Sequence, residues 1–192
     1  VTGGTTNAGA VTAVAVSSGM TFSDGTAESA VTLQMAKILK NKLLEEGYDV
    51  LMIREESDVQ LDNVARTVIA NNNADIHLAL HWDSTEKDKG CFFMSVPSNK
   101  TYRAMEPVAS HWQSHNALGS SLIEGLKAAG NKIFSSGAME MDLTQTSYST
   151  IPSVDIELGD KASSHTDATL EKLAEGLVAG VNQYFDSVAG EN

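Results

Sequence analysis

The chain has 192 residues, enough for one α/β domain with a sizeable core and short for two. Its formal net charge of −12 argues against nucleic acid as a partner, because phosphates must be met by Lys and Arg. The single cysteine, Cys91, excludes an internal disulfide, and no apolar run is long enough to span a bilayer.

Residues 1–10 are small, polar and Gly-rich and read as a linker remnant, leaving residues 11–192 as the folded unit of what is expected to be a longer protein. Thr12 to Val16 is a short apolar run ending at Ser17-Ser18-Gly19, expected as a strand leading into a turn. From Thr26 a helix follows: Val31, Met35, Ile38, Leu39 and Leu43 recur at helical spacing, and Gly47 is placed to end it. Asp49 to Ile53 reads as the next strand. Leu61, Val64, Ala65, Val68 and Ile69 mark a second amphipathic helix closed by Asn71, Asn72 and Asn73. Ile76 to His81 gives a third strand and Gly90 to Val96 a fourth. Between Met105 and Ala129 the pattern is helical but interrupted near Asn116 to Gly119, which predicts one bent helix or two. Val154, Ile156 and Leu158 alternate after Pro152 as a late strand, and Leu170, Leu173, Leu177, Val181 and Tyr184 define a closing helix. This alternation predicts a single α/β domain with a mixed, mostly parallel sheet and helices on both faces.

Ligands of such sheets gather at the carboxyl edge of the strands. Three polar groups fall there: Glu28 in the first turn of its helix, His81 at the end of an apolar strand, and Glu157 within Val154 to Leu158. Each has a plain reading on its own. Glu28 suits a helix start, where the dipole stabilises a carboxylate; His81 suits a hydrogen-bonded strand terminus; Glu157 suits a solvated face. Parallel strands are usually covered on both faces, which gives weight to the other reading, a Glu157 that faces a cleft. His111 and His115 lie one helical turn apart, a spacing that can bind metal, but with no accompanying glutamate they read as a surface feature. His165 reads as loop and helix-start chemistry.

The order of these pieces resembles the zinc-dependent N-acetylmuramoyl-L-alanine amidase family of the type-3 class. Glu46-Gly47-Tyr48-Asp49-Val50 through Arg54 is similar to that family's "xxGYxVxxxR" step, and Arg66 with Ala70-Asn71 to its "RxxxAN" helix. Pro152-Ser153-Val154-Asp155-Ile156-Glu157-Leu158-Gly159 resembles its "PAVLVExG" strand. The resemblance implies a zinc ion held by two histidines and a glutamate, with Glu28 and His81 as metal ligands and Glu157 as the catalytic acid/base. It implies peptidoglycan as substrate, cut between N-acetylmuramic acid and L-alanine. It further implies a secreted or cell-wall-associated protein, anchored by a separate module because an acidic domain gains nothing from a polyanionic wall. One position departs: the family's opening Asp-Pro-Gly-His is written here Ser17-Ser18-Gly19-Met20, so Met20 stands where a zinc histidine is expected. A thioether suits copper(I) better than zinc. Asp24 or His77 could supply a third ligand, or the metal could bind weakly with substrate completing its shell. Alternatively, the domain keeps the fold and binds wall fragments or a partner without turnover.

Overall fold

The computed structural model describes residues 19–57 and 61–190; the linker remnant expected at 1–10 and the strand expected at 12–16 lie outside them. Helix α1, Glu28–Glu45, buries Val31, Met35, Leu39 and Leu43, the stripe that a 3.6-residue period brings to one face. It ends at Gly47, whose φ of +91° is the left-handed geometry that closes helices. Helix α2, Asn63–Asn73, starts on Asp62, whose side chain accepts from Ala65 N at 2.7 Å and so satisfies one orphan amide of the first turn. There follow β1 His77–Asp83, β2 Cys91–Ser95, α3 Lys100–Arg103, α4 Val108–Ala128, β3 Ile133–Glu140, α5 Thr144–Tyr148, β4 Ser153–Asp160 and α6 Asp167–Gly190.

Among the described residues the sheet has the order β1-β4-β2-β3. The β1/β4 and β2/β3 pairs are parallel and β2/β4 is antiparallel, giving the mixed, mostly parallel sheet that the sequence predicts. On one face Trp82, Phe93, Val154, Ile156 and Leu158 join the stripes of α1, α4 and α6 in a continuous apolar core. The other face carries His77, His81, Ser153, Asp155 and Glu157, because side chains alternate along a strand and these are all odd positions of β1 and β4. Helices α2 and α5 flank that face at its His77–Ser153 end, where Gln145 Nε2 donates to Ser153 Oγ. Its other end, toward the carboxyl termini of β1 and β4, holds His81 and Glu157.

Three expectations need correction. Asp49 to Ile53 forms no strand among the described residues; a strand needs a ladder for its amides, and none of the described strands pairs with it. Residues 108–128 form one continuous helix. The apparent breakers within it have tertiary partners: Asn116 Oδ1 accepts from Val96 N at 2.9 Å, and a Cβ on Gly119 would collide with the Phe93 ring. Finally, His115 is not a surface group. It is 2% exposed, and its Nδ1 accepts from Ser153 N at 2.9 Å.

His77 and His115 make the fold acid-sensitive. Burial, with help from Arg66 at His77 and His111 at His115, lowers each imidazole from 6.5 to about 4. Between those values the unfolded chain takes up protons that the folded chain refuses, so the contribution of these two groups is intact above pH 6.5 and is lost as pH drops toward 4. Each histidine is expected to withdraw about 3 kcal/mol across that window. The His115→Gln variant, whose amide oxygen can still accept from Ser153 N, is expected to lose about 3 kcal/mol less than the parent between pH 7 and pH 4. Urea unfolding at both pH values measures this, and identical pH slopes would refute it.

Candidate functional site

Glu28 is the hub of the open face. It sits in the first turn of α1 and is only 5% exposed. Its Oε2 accepts from Met20 N at 2.7 Å, and its Oε1 accepts from Trp82 N at 3.1 Å. The same Oε1 lies 3.2 Å from His81 Nδ1. Burial works to raise the Glu28 carboxyl, but the hydrogen bonds from His81, Met20 and Trp82 outweigh it and hold the group below the usual carboxylate range. The loop that delivers Met20 is pulled tightly onto this carboxylate. Gly19 has φ +76°, and a Cβ there would meet Glu28 Oε2 at 2.6 Å. Only glycine tolerates both conditions.

His81 is gripped from its second nitrogen as well: Nε2 lies 3.5 Å from Asp155 Oδ2. The β1/β4 register explains the meeting, since His81 pairs with Glu157 and Ala79 with Asp155, which puts both carboxylates beside the ring. Asp155, then Glu28, push the imidazole up to about 10 against the opposing effect of burial, and the 45% exposure of the side chain lets water screen part of this. Glu157 is 8% exposed, its Oε2 is buried with no hydrogen-bond partner among the described residues, and burial together with Asp155 pushes it up to about 8. Asp155 Oδ1 is buried and unpartnered in the same way.

The structure therefore brings Glu28, His81 and Glu157 together at the carboxyl ends of β1 and β4. It does not bring in the two candidates for a third ligand. Asp24 is an exposed loop residue whose Oδ2 lies 3.2 Å from His165 Nε2, and His165 stacks on Phe22 with centroids 4.2 Å apart. His77 lies at the far end of β1, with Nδ1 3.1 Å from Ser153 Oγ. Asp155 is the site residue that the sequence reading passed over. Its signal was present, because it breaks the apolar alternation of β4 as Glu157 does and stands where the "PAVLVExG" pattern has leucine.

This donor set does not fit a catalytic zinc, which takes three protein ligands and an open position. Met20 contributes its backbone N–H to Glu28, and its side chain packs against the core. The two carboxylates nearest His81 approach opposite ring nitrogens, so one ion cannot collect Glu28, His81 and Asp155 together. Among the described residues no three His, Cys, Asp or Glu side chains are grouped to hold a metal ion. Beside Met20 a groove of about 550 Å³ runs between Phe22, Ser84, Glu86 and Lys161, with the Lys161 ammonium 2.5 Å from Glu86 Oε1.

A sequence-family model described as N-acetylmuramoyl-L-alanine amidase matches residues 3–183. Among solved structures, the N-acetylmuramyl-L-alanine amidase of Mycobacterium smegmatis aligns with a TM-score of 0.80 at 18% identity, covering 92% of this chain and 85% of that one. The apo form of the Mycobacterium abscessus enzyme aligns at 0.73 with 21% identity, covering 92% and 86%. An N-acetylmuramoyl-L-alanine amidase of Nostoc punctiforme aligns at 0.73 with 18% identity, covering 88% and 90%. At these identities the likeness is one of fold. No curated protein sequence matches the chain.

Proposed function

Because the chain belongs to the N-acetylmuramoyl-L-alanine amidase family, whose members act on peptidoglycan and are generally zinc-dependent, we propose that it binds peptidoglycan fragments without metal-dependent hydrolysis. The observation that carries this reading is the double engagement of His81 by Glu28 and Asp155, with Met20 in place of a donor side chain. The groove beside Met20 supplies the binding surface. Its polar lining and its Lys161–Glu86 pair suit a ligand that combines sugar hydroxyls with a charged peptide. The domain works at the cell wall, secreted or wall-associated, and its net charge of −12 leaves attachment to a separate anchoring module. No helix of the described residues is long and apolar enough to cross a membrane.

Titration calorimetry with soluble muropeptides tests this. Binding is expected without release of L-alanyl peptides, in zinc or in chelator. Ser84→Trp, which fills the groove from an exposed position, is expected to weaken binding at least tenfold, on the order of the 1.4 kcal/mol that a factor of ten represents. Equal affinity for parent and Ser84→Trp would remove the groove from the account.

Glu157 supports a second reading. A buried carboxyl raised to about 8 and lying next to an imidazole is set for proton transfer near neutral pH. In that reading the chain is a zinc-dependent hydrolase of the bond between N-acetylmuramic acid and L-alanine, with Glu28 and His81 assigned to the metal and Glu157 to the acid/base role. Zinc-stimulated release of L-alanyl peptides, lost roughly a hundredfold to ten-thousandfold in Glu157→Gln, would establish it over the first.

A further inference from the structure

We propose that Lys161 and Glu86 make the groove beside Met20 a reader of zwitterionic amino-acid heads. It selects stem peptides whose diamino acid keeps both a free ammonium and a free carboxylate, which rests on the peptidoglycan-binding reading and narrows it to peptides that are not cross-linked.

The groove is built from three loops, those before α1, after β1 and after β4, and Lys161 joins them. Its backbone N–H donates to Thr85 O at 3.2 Å, and its carbonyl accepts from Ser23 N and Ser23 Oγ, both at 3.0 Å. The side chain is therefore launched from a base tied to both neighbouring loops, and its Nζ donates to Glu86 Oε1 at 2.5 Å. Among the described residues, these two are the charged groups that line the groove. Their side chains are 32% and 72% exposed, so water and salt keep the pair weak and easily opened. The number of pairs then decides what binds. A ligand with a single charge breaks the Lys161–Glu86 pair to form one new pair and strands the other group, so it gains nothing. A ligand with both charges breaks one pair and forms two. A diamino acid attached to a peptide through one end presents such a head at the other, on a short methylene spacer. Met20 and Phe22, which also line the groove, give that spacer an apolar wall. Cross-linking acylates the ammonium and so removes one of the two charges.

Titration calorimetry in chelator tests this on the parent, Glu86→Gln and Lys161→Gln with three muramoyl tripeptides. One ends in 2,6-diaminoheptanedioic acid with its side-chain head free, one has the amine of that head acetylated, and one has its carboxylate amidated. The parent is expected to bind the free head roughly threefold to fivefold more tightly than either blocked form, the size of effect one exposed ion pair gives. Glu86→Gln is expected to erase the preference over the acetylated form, and Lys161→Gln the preference over the amidated form. Lys161 holds the loops through its backbone, so the glutamine variant keeps the groove and removes only the ammonium. Preferences that survive in these variants, or a parent that binds all three tripeptides equally, overturn the proposal. Free 2,6-diaminoheptanedioic acid gives a readout that needs no glycan. At millimolar concentration it is expected to shift the Lys161 Nζ resonance of the parent, and a resonance that stays in place overturns the proposal. Absence of tripeptide binding with this shift intact would defeat the proposed function and leave the charge-reading groove standing.

Discussion

Replacing Glu28 by alanine is expected to destabilise the fold by about 4 kcal/mol, in the range found when one partner of a buried charge pair is removed. The loss has identifiable parts. The amides of Met20 and Trp82 lose their acceptor, and an unsatisfied buried donor costs about 1–3 kcal/mol. His81 loses one of its two carboxylates. In a domain of this size the change corresponds to a drop in melting temperature of roughly 8–16 °C. If Glu28 were only a favourable helix-start residue, the cost would be about 0.3–1 kcal/mol, so the two accounts separate cleanly in a thermal melt. Glu28→Gln keeps one carbonyl acceptor and is expected to recover about half of the loss.

Gly125→Ala is expected to be comparably damaging, against the usual sign of the substitution. Within a helix, alanine in place of glycine ordinarily gains about 0.5–1 kcal/mol. Here a Cβ on Gly125 of α4 would land on the carbonyl oxygen of Gly176 and the amide nitrogen of Gly180 in α6. Those atoms are backbone and cannot rotate aside. The helices must separate along an interface that includes Leu122, Leu126, Leu173 and Leu177, all fully buried or nearly so. Overpacking of this kind costs about 3 kcal/mol. Gly190→Ala, in the same helix α6 with nothing within 4 Å of the new carbon, is expected to show no loss. Chemical denaturation of the two variants side by side tests the difference, and equal stabilities would mean that α4 and α6 do not touch through their glycines.

Elements whose burial is one-sided were legible from sequence. The α1 stripe, the capped α2, the alternation of β4 and the long apolar face of α6 each carry their own periodicity. Strand β3 was not legible, and the reason is local: Ser135 takes φ +50° and Gly137 φ +84°, so the strand bends and its residues do not alternate regularly. Helix α4 looked broken because Asn116 and Gly119 are poor helix residues in isolation, whereas both are chosen by contacts with β2 and the chain after it. The site divides in the same way. Glu28, His81 and Glu157 stood out as polar groups at strand and helix ends, and Glu28 and His81 do touch. Asp155 and the burial of His115 depend on how β1, β4 and α4 lie against each other, which no single stretch of sequence records.

The packing of α1 against α6 sets an order on biosynthesis. More than a hundred residues separate the two helices in the chain, yet Tyr48 just after α1 bonds Asn182 of α6, and Lys42 pairs with Glu171. A ribosome adding about 5–20 residues per second exposes the Val31, Met35, Leu39 and Leu43 stripe several seconds before Leu170 to Tyr184 exist to cover it. During that interval the nascent chain presents a greasy helix without the α6 face that covers it, the kind of segment that holding chaperones shield. The domain is expected to become protease-resistant only after α6 has cleared the exit tunnel.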